Sequence, residues 1–175
     1  DLASAPVRER ALPSDMETRP VLPAQYPAIY ALFRDAWAGQ FGTLADDAAG
    51  YEEFLDDTVR MAGSDPALWQ VAWHGAEAVG AVVGRAAQGQ GYVEYVATRK
   101  AWQRQGIAGA LLADVLRAFA ARGLRAARLY TDAEDGQGAK TLYERAGFRT
   151  TTEHLLYRKP IQAIQGAEVA SALQF

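Results

Sequence analysis

Tyr92 to Leu112 reads YVEYVATRKAWQRQGIAGALL. Its opening residues alternate as a strand, a short basic turn follows, and Gly106 opens an apolar pattern with helical spacing. Gln103-Arg104-Gln105-Gly106-Ile107-Ala108 is thus a loop entering a helix N-terminus. Unpaired backbone N–H groups and the positive end of the macrodipole favour an anion there, and a phosphate is the natural guest.

Upstream, the period is two. Trp69, Val71 and Trp73 alternate with Gln70, Ala72 and His74, the turn His74-Gly75 follows, and Val79 to Gly84 returns. Gly89 to Gly91 then turns into Tyr92 to Ala97, which makes the three strands an antiparallel meander. Earlier still, Thr18 to Leu22 reads as a short first strand and Pro23 and Pro27 bracket a helix start. Ile29, Phe33, Ala36 and Trp37 share a face of that helix, which Gly39 and Gly42 stop. A second helix runs from about Asp47, with Tyr51, Phe54, Leu55, Thr58 and Val59 as its stripe, and ends near Gly63 and Pro66.

Downstream, Ile107, Leu111, Leu112, Val115, Leu116 and Phe119 trace one helical face that ends at Gly123. Ala126 to Thr131 reads as a strand. Ala139, Leu142, Tyr143 and Ala146 form a short helix stopped by Gly147, and Phe148 to Lys159 reads as a long final strand. Strand, crossover helix and strand imply a parallel pair of right-handed connection.

With 175 residues, half of them hydrophobic, one domain with tails is expected: 1–16 a tail or linker, 17–160 the domain, 161–175 a C-terminal tail with room for a helix. The chain opens on Asp1 rather than methionine, which leaves processing or a longer parent chain open. The net charge of -3 and the lack of a basic run give no nucleic-acid footprint. No cysteine is present, which removes disulfides, thiolate metal sites and a cysteine nucleophile, and no metal site is expected. His74 is expected in a hairpin turn and His154 on a strand surface, away from the chemistry. No apolar run reaches the roughly 20 residues of a membrane helix, and no signal-peptide pattern opens the chain, so a cytoplasmic protein without membrane partners is expected.

The runs VATRKAWQRQGIAGALL and LYTDAEDGQGAKTLYERAGF together resemble the GNAT N-acetyltransferase superfamily. The first is similar to its acetyl-CoA motif, Gln/Arg-x-x-Gly-x-Gly/Ala, filled by Gln103, Gly106 and Ala108. In the second, Ala139, Leu142, Tyr143, Gly147 and Phe148 match the later helix and the strand after it. The likeness spans roughly Val21 to Lys159, and its wording is similar to one half of tandem GNAT proteins of the mycothiol-synthase-like group. Two features depart from the pattern. Asp135-Gly136 replaces the Asn-Pro that often follows an Ala-Glu such as Ala133-Glu134, and the chain after Gly147-Phe148 leaves space for one strand where many relatives have two.

The resemblance implies an α/β (α+β) fold: a mixed, mostly antiparallel sheet of six to seven strands, about four flanking helices, and a splay between the fourth and fifth strands. It implies acetyl-CoA as cosubstrate, held by backbone contacts at Val96 and Thr98 with Ala97 between them. The N–H groups of Gln105, Gly106, Ile107, Ala108 and Gly109 would face the pyrophosphate, with Gln103, Arg104, Ala139 and Tyr143 also at the cofactor. Tyr143 matches the family's general acid, and a phenol of pKa about 10 can protonate a departing thiolate. Glu94, an acid in an apolar strand and on the same face as Val96, is the candidate base. Trp37, Phe41, Tyr51 and Phe54 could shape an acceptor pocket, and Glu52, Glu53, Asp56 and Asp57 could attract a cationic amine. The expected activity is direct acetyl transfer to a primary amine, with a homodimer or a second GNAT domain as possible partners. The rivals are a non-catalytic CoA-binding or regulatory module and an interaction domain whose glycine loop is only structural.

Overall fold

The computed structural model describes residues 11–38, 44–131 and 136–153. The alternating segments form strands β1 (Glu17–Thr18), β2 (Gln70–His74), β3 (Glu77–Ala87) and β4 (Gln90–Thr98), and β5 (Ala127–Leu129) follows. They lie side by side in chain order. Neighbours among the first four are antiparallel, whereas β5 runs parallel to β4. The helices are α1 (Tyr26–Ala36), α2 (Ala48–Phe54), α3 (Ile107–Ala121), which makes the β4–β5 crossover, and α4 (Gly136–Arg145).

Three expectations need correction. The sheet has five strands among the described residues, fewer than six to seven. The described start of the strand expected from Phe148 is irregular: the Phe148 N–H donates to the Tyr143 carbonyl at 3.0 Å, closing the end of α4, and Arg149 to Glu153 are exposed. Residues 154–159 of that segment, with His154, lie outside the described residues, as do Phe41, Gly39, Gly42, Ala133, Glu134, Asp135 and 161–175. The first strand stops at Thr18, short of Leu22, because Pro20 has no N–H to give a ladder. Finally, α2 is shorter than expected and continues as one π-type turn, Leu55–Val59, in which the buried Thr58 hydroxyl donates to the Phe54 carbonyl.

The sheet is buried on both faces. On one, Ile29 and Phe33 of α1 and Phe54 of α2 meet Val71, Trp73, Ala81, Val83 and Ala97. On the other, Leu111, Leu112, Val115 and Phe119 of α3 meet Val79, Val82 and Val93. Close seating of α3 depends on glycines beneath it. A Cβ at Gly80 would lie 2.6 Å from Ile107 Cγ2, and one at Gly91 2.4 Å from the Phe119 ring. Gly80→Val is therefore expected to lift the first turn of α3 and destabilise the chain by about 2 kcal/mol. Urea denaturation measures this, and an unchanged midpoint would show that the helix start is not seated on Gly80.

Candidate active site

The decisive feature is which way the backbone of β4 faces. The Arg99 N–H donates to the Val79 carbonyl at 3.0 Å. Hydrogen-bonded pairs alternate with non-bonded pairs along an antiparallel ladder. Ala97 opposite Ala81 is thus a bonded pair, while Val96 opposite Val82 and Thr98 opposite Gly80 are not. The N–H and C=O groups of Val96 and Thr98 consequently point away from β3, toward the side where β5 would lie. But β5 pairs only with Gly91–Val93. Beyond Val93 the fourth and fifth strands part, and the outward backbone of Val96 and Thr98 faces the gap.

A cleft of about 220 Å³ occupies that gap, lined by Ala36, Trp37, Val96, Ala97, Thr98, Gln103, Thr131, Ala139 and Tyr143. Backbone polar groups on such a wall call for hydrogen-bonding partners, and an extended amide chain offers them at strand spacing. The Thr98 carbonyl already accepts from Gln103 Nε2 at 3.2 Å. Gln103 therefore ties the end of β4 to the turn that enters α3.

At the end of this wall the chain turns through Arg104 (φ 61°) and Gly106 (φ 85°), both left-handed. Gly106 is the N-cap of α3, and the first intrahelical bond runs from the Ala110 N–H to the Gly106 carbonyl. The N–H groups of Gly106, Ile107, Ala108 and Gly109 precede that bond and have no helical acceptor. A Cβ on Gly106 would meet nothing within 4 Å, so the space beside this turn is open. Ile107 buries its side chain in the α3-side core, which leaves its backbone to the loop. Arg104 and Gln105 are exposed at the mouth.

Tyr143 is half-buried on α4, lines the cleft and packs edge-on to Phe148, with ring centroids 6.2 Å apart. Glu94 is arranged differently from expectation. Val83 faces Tyr95 but Gly84 faces Val93, so Glu94 is the extra residue of a bulge. The bulge shifts the alternation: Val93 and Val96 both pack on the α3 side, Tyr95 and Ala97 on the α1 side. Glu94 accepts a charge-assisted bond from Arg85 Nε, and the Arg85 guanidinium lies over the Tyr92 ring at 4.3 Å. A Cβ on the preceding Gly84 would meet Val115 and Phe119 of α3, so Arg85 projects from the opposite face. Glu94 thus lies with Arg85 across the sheet from Val96, not beside it, and is not among the residues lining the cleft.

The expected acceptor residues separate. Trp37 lines the cleft, whereas Phe54 is buried in the core and Tyr51 stacks on it, with centroids 6.1 Å apart. Glu52 and Asp56 are both bound by Arg60, at 2.9 and 2.7 Å. Glu53 and Asp57 are exposed. Burial first, then the charges of Asp57 and Glu94, push the Tyr95 phenol above its ordinary pKa, so it stays a protonated donor at neutral pH. His74 ends β2, its ring 4.9 Å from Trp102 and its Nε2 3.7 Å from Asp15, outside the cleft lining. Ala36 and Thr131 line the cleft without having been named as site residues from the sequence. Among the described residues no group of three or more His, Asp or Glu could hold a metal ion, and no helix is long and apolar enough to cross a membrane.

A family model described as the Acetyltransferase (GNAT) family matches residues 26–148. The chain belongs to this family. Two relatives carry the name mycothiol acetyltransferase. The one from Streptomyces scabiei is 35% identical over 152 residues, covering 86% of this chain and 48% of the relative. The one from Streptomyces avermitilis is 31% identical over 159 residues, covering 90% and 50%. The chain thus spans about half the length of the curated relatives it matches. Among solved structures, a GCN5-related N-acetyltransferase from Sphaerobacter thermophilus superimposes with a TM-score of 0.67 at 29% identity, over 82% of this chain and 44% of that one. The aminoglycoside acetyltransferase AAC(6')-Iy in complex with a bisubstrate analogue superimposes with a TM-score of 0.62 at 17% identity, over 83% of this chain and 99% of that one, a likeness of fold. The GNAT family uses acetyl-CoA, whose pantetheine arm is an extended amide chain ending in a pyrophosphate. The open edge of β4 followed by the start of α3 has the form that such a molecule requires.

Proposed function

We propose that this chain is the acetyl-CoA-dependent N-acetyltransferase unit of its protein, spanning residues 17–160 and acting on a primary amine. One observation carries the reading: the backbone of Val96 and Thr98 faces a gap that β5 leaves uncovered, and the gap ends at the glycine-capped start of α3. In this reading the pantetheine amides pair with Val96 and Thr98, and the pyrophosphate sits on the N–H groups from Gln105 to Gly109 with Arg104 adding charge.

The amine nitrogen then attacks the thioester carbonyl carbon directly. As the tetrahedral adduct collapses, the C–S bond breaks and the thiolate takes the Tyr143 hydroxyl proton. The amine's proton leaves to water in the cleft, and Glu94, which Arg85 holds outside the cleft lining, is reached only through a chain of waters. Glu94→Gln is expected to lower kcat/KM about tenfold. An unchanged kcat/KM assigns the proton transfer to water alone.

The relatives' name points to a mycothiol-related amine as acceptor. The half-length match supports a second reading, a CoA-binding half of a tandem protein whose turnover needs its partner domain. Titration calorimetry with acetyl-CoA, followed by thiol release over an amine panel, separates the two. Dissociation constants on the order of tens of micromolar or tighter are expected. Absence of binding overturns both readings, and binding without turnover on any amine favours the tandem half.

A further inference from the structure

The two sides of the cleft differ in kind. Tyr143 of α4 packs with the α3 side of the sheet, while Ala36 and Trp37 close the cleft from the α1 side. The α1-side wall is braced. The Trp37 ring stacks on the fully buried Phe33 with centroids 4.8 Å apart and planes at 28°, and Tyr95 backs it at 5.5 Å. Its main chain is tethered as well: the Trp37 N–H donates to the Phe33 carbonyl at 3.0 Å, and Lys100 Nζ, just beyond β4, donates to the Ala38 carbonyl at 3.0 Å. An indole held between two aromatic neighbours, on a main chain tied at its own N–H and at the next carbonyl, cannot turn aside without breaking the ring contacts.

We propose that Trp37 is the acyl-length stop of this site: it admits a two-carbon acyl group and rejects chains of four carbons or more. The inference rests on the acetyl-CoA reading. A thioester whose arm lies along Val96 and Thr98, with its sulfur toward Tyr143 on the α3 side, has its acyl substituent directed to the α1-side wall of Ala36 and Trp37, where the indole is the bulky group. Extra methylenes there meet a braced ring and are excluded by overpacking.

The test is calorimetric titration of CoA, acetyl-CoA and butyryl-CoA into the wild-type chain, Trp37→Phe and Trp37→Ala. It needs no acceptor. Reading the butyryl-to-acetyl affinity ratio within each variant cancels any uniform loss of binding. The wild type is expected to bind butyryl-CoA roughly tenfold more weakly than acetyl-CoA, with Trp37→Ala narrowing that to about threefold or less and Trp37→Phe between them. Trp37→Phe keeps the stacked ring, so it serves if the alanine variant fails to fold. A ratio unmoved in the variants while CoA still binds overturns the role of Trp37. Failure of all three ligands to bind the wild type overturns the acetyl-CoA reading itself, and the two failures are told apart by the CoA titration.

Discussion

Tyr143→Phe is expected to lower kcat about a hundredfold or more while the KM for acetyl-CoA changes by less than about threefold. Phenylalanine keeps the ring that packs edge-on against Phe148 and removes only the hydroxyl. The contact that fixes this part of α4 therefore survives. Loss of the hydroxyl is felt where the thiolate leaves, because the adduct must then expel a thiolate with no donor to take up its developing charge, which raises the barrier to C–S cleavage. An interaction made only as the bond breaks lowers kcat and kcat/KM together and leaves ground-state binding alone. Steady-state kinetics with the best amine of the panel measures this. A thermal melt within a few degrees of wild type excludes a structural cause. An unaltered kcat would show that Tyr143 is a wall of the cleft and that solvent protonates the thiolate.

Most of what places this tyrosine was legible in the sequence, and the reasons are local. The switch from a period of two to a helical period at Gly106 marks the strand, loop and helix that carry the proposed donor site. Glycines at 75, 89, 106, 123 and 147 all have positive φ, so each boundary they announced is a conformational necessity. The bulge at Glu94 was illegible for an equally physical reason. Tyr92, Val93, Tyr95 and Val96 are apolar in both phases of the alternation, so the pattern cannot show where the phase slips. The face assigned to Glu94 was wrong for that reason, and its partner Arg85 belongs to the neighbouring strand. Ala36 and Thr131 carried no signal because small residues gain their role from the gap between strands, which is a tertiary property. The described start of the strand expected from Phe148, residues 148–153, is irregular because β-branched content is a weak guide beside what the preceding helix end does with its hydrogen bonds.

Gly106→Val should raise the dissociation constant for acetyl-CoA about a hundredfold, some 2.7 kcal/mol. Gly106 has φ 85° and caps α3, where a β-branched residue is a genuine outlier. Two responses are open to the chain. If the loop keeps its shape, it carries about 1–2 kcal/mol of left-handed strain, and the isopropyl group fills open space beside the turn, where it would crowd the proposed pyrophosphate on the N–H groups of Gly106 to Gly109. If the loop relaxes to negative φ, the strain goes but those N–H groups no longer converge. Both outcomes weaken binding, by obstruction or by loss of alignment. Gly123→Val isolates strain from function, because Gly123 also has positive φ (73°) and open surroundings but lies beyond the far end of α3. It should cost comparable stability in urea and leave CoA affinity within about twofold, since substitutions remote from a site do not couple to it. Equal loss of affinity in both variants would mean that the effect is general destabilisation, and retained affinity in Gly106→Val would move the pyrophosphate site away from this loop.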